Sequence, residues 1–595
     1  ITNPPAKYVA DGNSGIINIL TKSNQKEALW SAALRTSYKQ SSYATGSYGG
    51  NLNFQNTKWQ LNSSLDYIDG ANKGKGNSNI YYPNETWQNR ATWKANTDKL
   101  SAQLGASYNI NTKLSTGFAY NYISNDPKLR RKEKVDIVEN KRFINTEDNT
   151  SFDKNIHSFN YNFVYRPDSL GKKLMFDIDF FNYKNRSNQE YLSRTIEHTG
   201  QMSSAAKGDN YTNQRIKNYS FNLDMEHPTK WVNLNYGARY SQTNTRNLLE
   251  IAEHTNHVSS NNEQFDLKDN FEYRERTQSL YLSGQREFSD KWEAKLGVRF
   301  EATQTRGIST AENQTNKNNY AKLFPTLYIA YTINDNHSLN LNYGKRISRP
   351  GFSLLNPFRW SSNPYAYNQG NPDLRPAFIN NIEIEYSYKN NFITNLYYSH
   401  TNDLFDYITI LDTDTKIEKI TPLNFQTTQL IGVSQTVMVS PFHWWDLYIN
   451  MDVYYSYAKS KISITEPQLS GWNGSMSISN DFALRKKKDL FFNISAEYAT
   501  KGVDGMDRMS SFGELTAALK WKTLKEKLII TLSAYDIFDT YHAKVTSYSN
   551  GIKAEYKNYY DRRSVRLSVS YNFGKKITPK RNSSKNIQEY SRLEY

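Results

Sequence analysis

Catalytic and metal-binding chemistry needs particular residue types at particular spacings, and this sequence offers few of them. Cysteine is absent, which excludes thiol nucleophiles, thiolate metal sites and disulfides within the chain. The nine histidines are dispersed, and His254 with His257 is the one close pair. It lies in a polar loop, which describes a solvated pair more readily than a zinc site. Asp412 and Asp414, in Leu-Asp-Thr-Asp-Thr-Lys, have the spacing of two calcium ligands. The rest of a calcium loop does not follow, and a hairpin tip accounts for both. No Gly-x-Ser-x-Gly elbow and no glycine-rich loop ending in Gly-Lys-Ser/Thr occurs. The expectation is a chain with no catalytic residues, no metal site and no cofactor.

Function must then rest on the architecture. A chain of 595 residues needs either several domains or one very large closed element. Aromatic residues make up 14% of it, with 45 Tyr, 28 Phe and 11 Trp, against 37% hydrophobic residues in all. That is a mixture of polar connections and aromatic strands. Mean hydropathy is -0.79 and no run of about 18 apolar residues occurs, so no transmembrane helix is expected. A membrane is not thereby excluded, because a spanning strand of about 10 residues is apolar only at alternate positions. The net charge of +16 raises nucleic-acid binding, but the basic residues are scattered, and the densest run, Arg485-Lys486-Lys487-Lys488, fills a single turn. No nucleic-acid partner is expected.

Period-two alternation runs through the chain. Val565, Leu567, Val569, Tyr571 and Phe573 alternate with Arg566, Ser568, Ser570 and Asn572, and Trp292, Ala294, Leu296, Val298 and Phe300 alternate with Glu293, Lys295 and Arg299. Each reads as a strand with one oily and one wet face. Residues 232–240, 339–343 and 492–498 repeat the pattern. About 22 such strands fit between residues 27 and 574. Their connections alternate in length. Short ones fall at 56–58, 111–113, 166–172, 227–230, 289–291, 334–336, 389–391, 440–443, 483–488 and 523–527. Long polar stretches, expected to be loops, include 69–98, 124–154, 185–211, 247–268 and 349–375.

Short turns at one rim and long loops at the other are the pattern of a transmembrane β-barrel. The sheet must close on itself, since an unpaired edge in hydrocarbon leaves N–H and C=O groups without partners. No repeated period occurs, which argues against a propeller or a solenoid. Trp231, Trp292, Trp444, Trp445 and Trp521 all sit at or beside short turns, where an amphipathic ring can rest at headgroup level. The fold class expected is therefore all-β, a transmembrane antiparallel β-barrel of about 22 strands.

Two blocks add a resemblance. Residues 1–22 place Asn3, Pro4, Gly12, Gly15, Ile16, Ile17, Asn18 and Ile19 in an order that resembles the end of the plug domain of TonB-dependent receptors, where a proline-containing turn and a glycine-flanked apolar strand precede the barrel. Arg349-Pro350, Leu355-Asn356-Pro357-Phe358 and Gly370-Asn371-Pro372-Asp373-Leu374-Arg375-Pro376 resemble a loop motif of the same family, most of all its branch in Bacteroidota. Ala377 stands where that family usually carries Glu. Pro fixes φ and removes a donor, so this block suits a structured loop, expected to fold inward over the barrel mouth. Phe573 near the close of the final strand resembles the aromatic signal by which barrels are recognised for membrane assembly.

The resemblance implies three parts: the end of a plug at 1–26, a barrel at 27–574 and a polar C-terminal tail at 575–595. It implies the outer membrane of a diderm bacterium, contact with outer-membrane lipid and lipopolysaccharide, and active uptake of a nutrient driven through TonB. The alternative is a non-transporting barrel that serves as a scaffold subunit beside a surface lipoprotein or other outer-membrane proteins. An open diffusion porin is disfavoured by the plug-like start. Export across the inner membrane implies that the numbered chain begins after a removed segment, and the resemblance implies that much of the plug and a TonB-contacting segment lie outside it.

Overall fold

The computed structural model describes residues 4–12, 28–168, 170–257, 263–310, 313–575 and 587–593. Among the described residues a single sheet of 29 strands contains a closed wall of 22 antiparallel strands. Closure runs between the first strand, Leu29–Gln40, and the last, Ser564–Gly574, in register from Ser31 opposite Gly574 to Gln40 opposite Val565. No strand edge of the wall is then left to face lipid.

The wall alternates as its sequence requires. Leu567 faces outward between Tyr38 and Leu532 on the flanking strands, and all three are exposed. The neighbouring Arg566 turns inward, over the Tyr535 ring and opposite buried Ser533. On Trp292–Ser309 the exposed apolar residues run from Trp292 through Leu296 and Val298 to Phe300 and then stop. Trp231, Trp292, Trp444 and Trp521 are exposed beside the short turns, consistent with an aromatic girdle at that rim. The short connections fall within three residues of their expected positions.

The long connections depart from expectation. Residues 69–98, 124–154, 185–211 and 247–268 are mostly strand: Trp59–Tyr81 pairs with Thr86–Asn109 up to its tip, and Arg142–Tyr165, Lys173–Ile196, Met202–Pro228, Asn233–His257 and Glu263–Ser289 continue the wall. These five have 24, 24, 27, 25 and 27 residues, where about 10 suffice to span a bilayer. The cause is backbone satisfaction, since each added cross-strand pair bonds N–H and C=O groups that a loop would leave to water. Hydropathy hid it because the inward positions there are polar, as with Ser187, Gln189 and Ser193, all buried. Of the long stretches singled out, 349–375 is the one that is chiefly loop, holding only the short hairpin Arg359–Asn363 and Ala366–Gln369.

The seam of the barrel is clasped at its long-loop rim by Asp561, which is 1% exposed. Its carboxylate accepts bonds from the Ser41 hydroxyl (2.9 Å), the Ser42 hydroxyl (2.7 Å), and the backbone N–H groups of Ser42 (3.1 Å) and Lys73 (3.1 Å). Burial alone would raise its pKa, but these donors outweigh it and hold the carboxyl below the usual carboxylate range. A lowered folded-state pKa gives stability that is present above the unfolded value of about 3.9 and lost as pH falls through the folded value. Asp561→Asn is expected to destabilise the folded barrel by about 1–3 kcal/mol at pH 7. The gap between variant and wild type should close below about pH 4. Melting of the heat-modifiable folded band from pH 3 to pH 8 measures it, and a gap independent of pH would contradict the assignment.

Candidate functional site

Inside the barrel the wet faces of several strands converge on buried charges. Glu301, on Trp292–Ser309, is 0% exposed and accepts bonds from two guanidinium groups. One is Arg299, its neighbour on the same face, and the other is Arg349, whose Nη2 lies 2.8 Å away. Arg349 also donates through Nε to the Tyr320 hydroxyl (3.2 Å) and pairs with the Asp11 carboxylate (3.7 Å). Its backbone N–H donates to Asp11 Oδ1 (3.1 Å). Close by, Glu275 receives both Nη atoms of Arg592 at 2.6 and 3.0 Å and the Tyr273 hydroxyl at 3.1 Å. Buried charges persist only when paired and hydrogen-bonded, and each of these is.

The Arg349-to-Pro376 segment folds into the lumen. Pro350, Pro357, Leu374 and Pro376 are buried, and Phe352, Leu354, Leu355, Phe358 and Leu374 join a cluster with Phe181, Leu249 and Phe271 of the wall. Asn356 accepts from the Phe358 N–H (3.4 Å), and Asn371 donates from its N–H to the Leu354 carbonyl (2.6 Å) and from its side chain to the Pro422 carbonyl (3.2 Å). Gly370 is required by close approach: a Cβ there would lie 2.1 Å from the Asn356 carbonyl oxygen. Pro372 lines a cleft of about 240 Å³ between this segment and the wall, bounded also by Glu275, Lys317, Tyr320, Arg349 and Arg375. Ala377 is fully buried opposite Ser348.

Residues 4–12 also lie in the lumen. Pro4 is buried, Ala6 sits against Gly297, where a Cβ would come within 2.9 Å of it, and Lys7 bonds Glu226 at 2.8 Å. Gly12, at φ +81°, donates its N–H to the Ile347 carbonyl (2.9 Å), and its own carbonyl accepts from Arg346 Nε (3.0 Å). Asn3, Gly15, Ile16, Ile17, Asn18 and Ile19 lie outside the described residues, and with them the expected short strand.

The two weak metal candidates lie apart, one at a hairpin tip and one in a long strand. Asp412 Oδ1 accepts the N–H groups of Thr415 (2.7 Å) and Asp414 (2.9 Å) at a hairpin tip, bonds that hold its pKa below the usual range. His254 stands in the Asn233–His257 strand, opposite Lys207 and Gln264. Among the described residues no group of three or more His, Asp or Glu is placed to hold a metal ion.

A model of the outer membrane protein β-barrel family matches residues 165–571. The chain belongs to that family. Its barrel has the fold of TonB-dependent receptors, and its place is the outer membrane of a Gram-negative bacterium. Among solved structures it is similar to the ferric-catecholate import receptor Fiu from E. coli K12, at TM-score 0.59 and 11% identity over 96% of this chain and 85% of that one. It is similar to the ferric enterobactin receptor PfeA from Pseudomonas aeruginosa, at TM-score 0.57 and 11% identity with the same coverage. A third is the ferric yersiniabactin uptake receptor FyuA from Yersinia pestis, at TM-score 0.55 and 14% identity over 94% of this chain and 82% of that one. No match is found among curated protein sequences.

Sequence reading found Arg349 but not its partners. Glu301 and Glu275 could have been found from Arg299-x-Glu301 and Tyr273-x-Glu275, polar pairs two apart on the wet face of a strand. Arg592 gave no local signal, because Glu275 is 317 positions away.

Proposed function

We propose that this outer-membrane barrel is a receptor for energised nutrient uptake, with residues 1–26 as the end of a plug domain and 27–574 as the barrel. The observation that carries the reading is the tie between the N-terminal stretch and the mouth loop. Asp11 pairs with Arg349 at the base of the 349–376 segment, and Arg346 holds the carbonyls of Asp11 and Gly12. A pull applied to the N-terminal stretch from the periplasm, as TonB would supply, is thereby transmitted to the segment that closes the lumen. Outer-membrane lipid and lipopolysaccharide would surround the apolar band. The cleft beside Arg349 offers Lys317 and Arg375 as well as Glu275 and Asp373, a mixed charge suited to a polar solute. Ferric enterobactin and ferric yersiniabactin, named for PfeA and FyuA, are the first solutes to try. Deleting the gene should impair growth under iron limitation or under carbon limitation on one class of nutrient, and unchanged growth in both would overturn the reading.

A second reading, a scaffold subunit bound to a surface lipoprotein or another outer-membrane protein, is favoured by the projecting strands of 24–27 residues, which raise a broad paired wall beyond the bilayer. Purification in mild detergent separates the two: a stable heteromeric complex supports it, and a barrel that runs alone opposes it.

A further inference from the structure

The C-terminal segment is not a free polar tail. Ile587–Ser591 forms one short helical turn inside the barrel, and Arg592 and Leu593 after it are buried. Glu589 accepts from Arg239 Nη2 (2.6 Å) and the Ser241 hydroxyl (2.9 Å), both on the Asn233–His257 strand. Arg592 meets Glu275 through both Nη atoms, stacks 4.2 Å over the Phe352 ring, and donates Nε to the Pro350 carbonyl (3.0 Å). Its own carbonyl accepts the Phe352 N–H (3.2 Å). Leu593 enters the cluster of Phe271, Leu354 and Leu355, and the Tyr590 ring stands edge-on to Phe181.

A segment that merely filled a void would need only apolar side chains. Here two buried ion pairs of opposite polarity are set three residues apart on the segment, and the wall supplies an arginine for its acid and an acid for its arginine. Unpaired, each charge would carry a heavy desolvation penalty, so the pairs fix register and reject other sequences. The depth is equally specific. Glu275 pairs with Thr305, beyond Phe300, where the outward apolar residues of that strand end. Gly574 stands at the short-turn rim, whereas residues 587–593 lie at the level of Glu275, beyond the apolar band.

We propose that the upper lumen is a peptide-binding site for a segment carrying a carboxylate, a guanidinium and a following aliphatic residue, and that residues 587–593 are its resident occupant. While they stay, they latch Pro350 and Phe352 of the mouth loop. A peptide of the same chemistry displaces them and takes over the same contacts. The proposal goes beyond uptake and does not depend on what is carried.

The chain lacks cysteine, so Leu593→Cys in the full-length folded barrel gives a single thiol to follow with a water-soluble maleimide. Its labelling should be at least about tenfold slower than that of Lys487→Cys in an exposed turn. The peptide Ile-Gln-Glu-Tyr-Ser-Arg-Leu-Glu-Tyr should speed it by about tenfold, while the same peptide with alanine for arginine should not. On the chain without added cysteine, Arg592→Ala should speed hydrogen exchange at Phe352, whose N–H the Arg592 carbonyl accepts. Labelling at the exposed-turn rate with unaltered exchange at Phe352, or equal effects of the two peptides, would overturn the proposal.

Discussion

Replacing Glu301 with alanine is expected to destabilise the folded barrel by about 3–5 kcal/mol, the usual result of removing one partner from a buried ion pair. Glu301 is fully buried, and its loss takes from Arg299 the carboxylate it pairs with and leaves Arg349 only the longer pair to Asp11. Glu301→Gln keeps an acceptor and should cost less. Arg349→Ala should match the alanine variant and also loosen residues 10–12, since Asp11 loses its salt bridge although the backbone N–H of position 349 remains. Denaturant unfolding of the purified barrel, followed by loss of the folded band, gives the energies. A Glu301→Ala barrel as stable as wild type would show that this cluster is solvated and not sealed.

Leu567→Arg and Ser568→Arg should differ sharply although they are neighbours. Leu567 lies on the lipid face, opposite Tyr38 and Leu532, and a guanidinium near the bilayer midplane costs about 2–4 kcal/mol. Ser568 points to the lumen between Ser37 and Thr531, where an added cation meets water and polar side chains. Folding into lipid vesicles and scoring the heat-modifiable fraction compares them directly, and equal loss would mean that the register of the closing strand is shifted by one residue.

Where one strand face was oily, the sequence could be read. Trp292–Phe300 and Val565–Phe573 alternate because one side meets hydrocarbon, and the short turns stand out because nothing but a turn fits between such strands. Above the membrane that contrast vanishes. In Lys173–Ile196 the inward Ser187, Gln189 and Ser193 are as polar as the outward Asn188 and Glu190, so hydropathy read a loop where backbone pairing builds a strand. The luminal cluster was half legible: Arg349 and its prolines stood out by resemblance, whereas Glu275, Glu301 and Arg592 come together only through closure of the barrel. Arg592 in particular looks like part of a solvated tail until the wall brings Glu275 to it.

Energised import is tested most directly by accumulation of labelled solute. Cells limited for iron or carbon would be offered ferric siderophores, oligosaccharides, peptides and vitamins in turn, with the gene intact, deleted and restored, and with or without a protonophore. Uptake of one class should require the gene and stop when the proton-motive force collapses. Uptake that is unaltered by deletion, or that persists through this barrel in the presence of the protonophore, would contradict it.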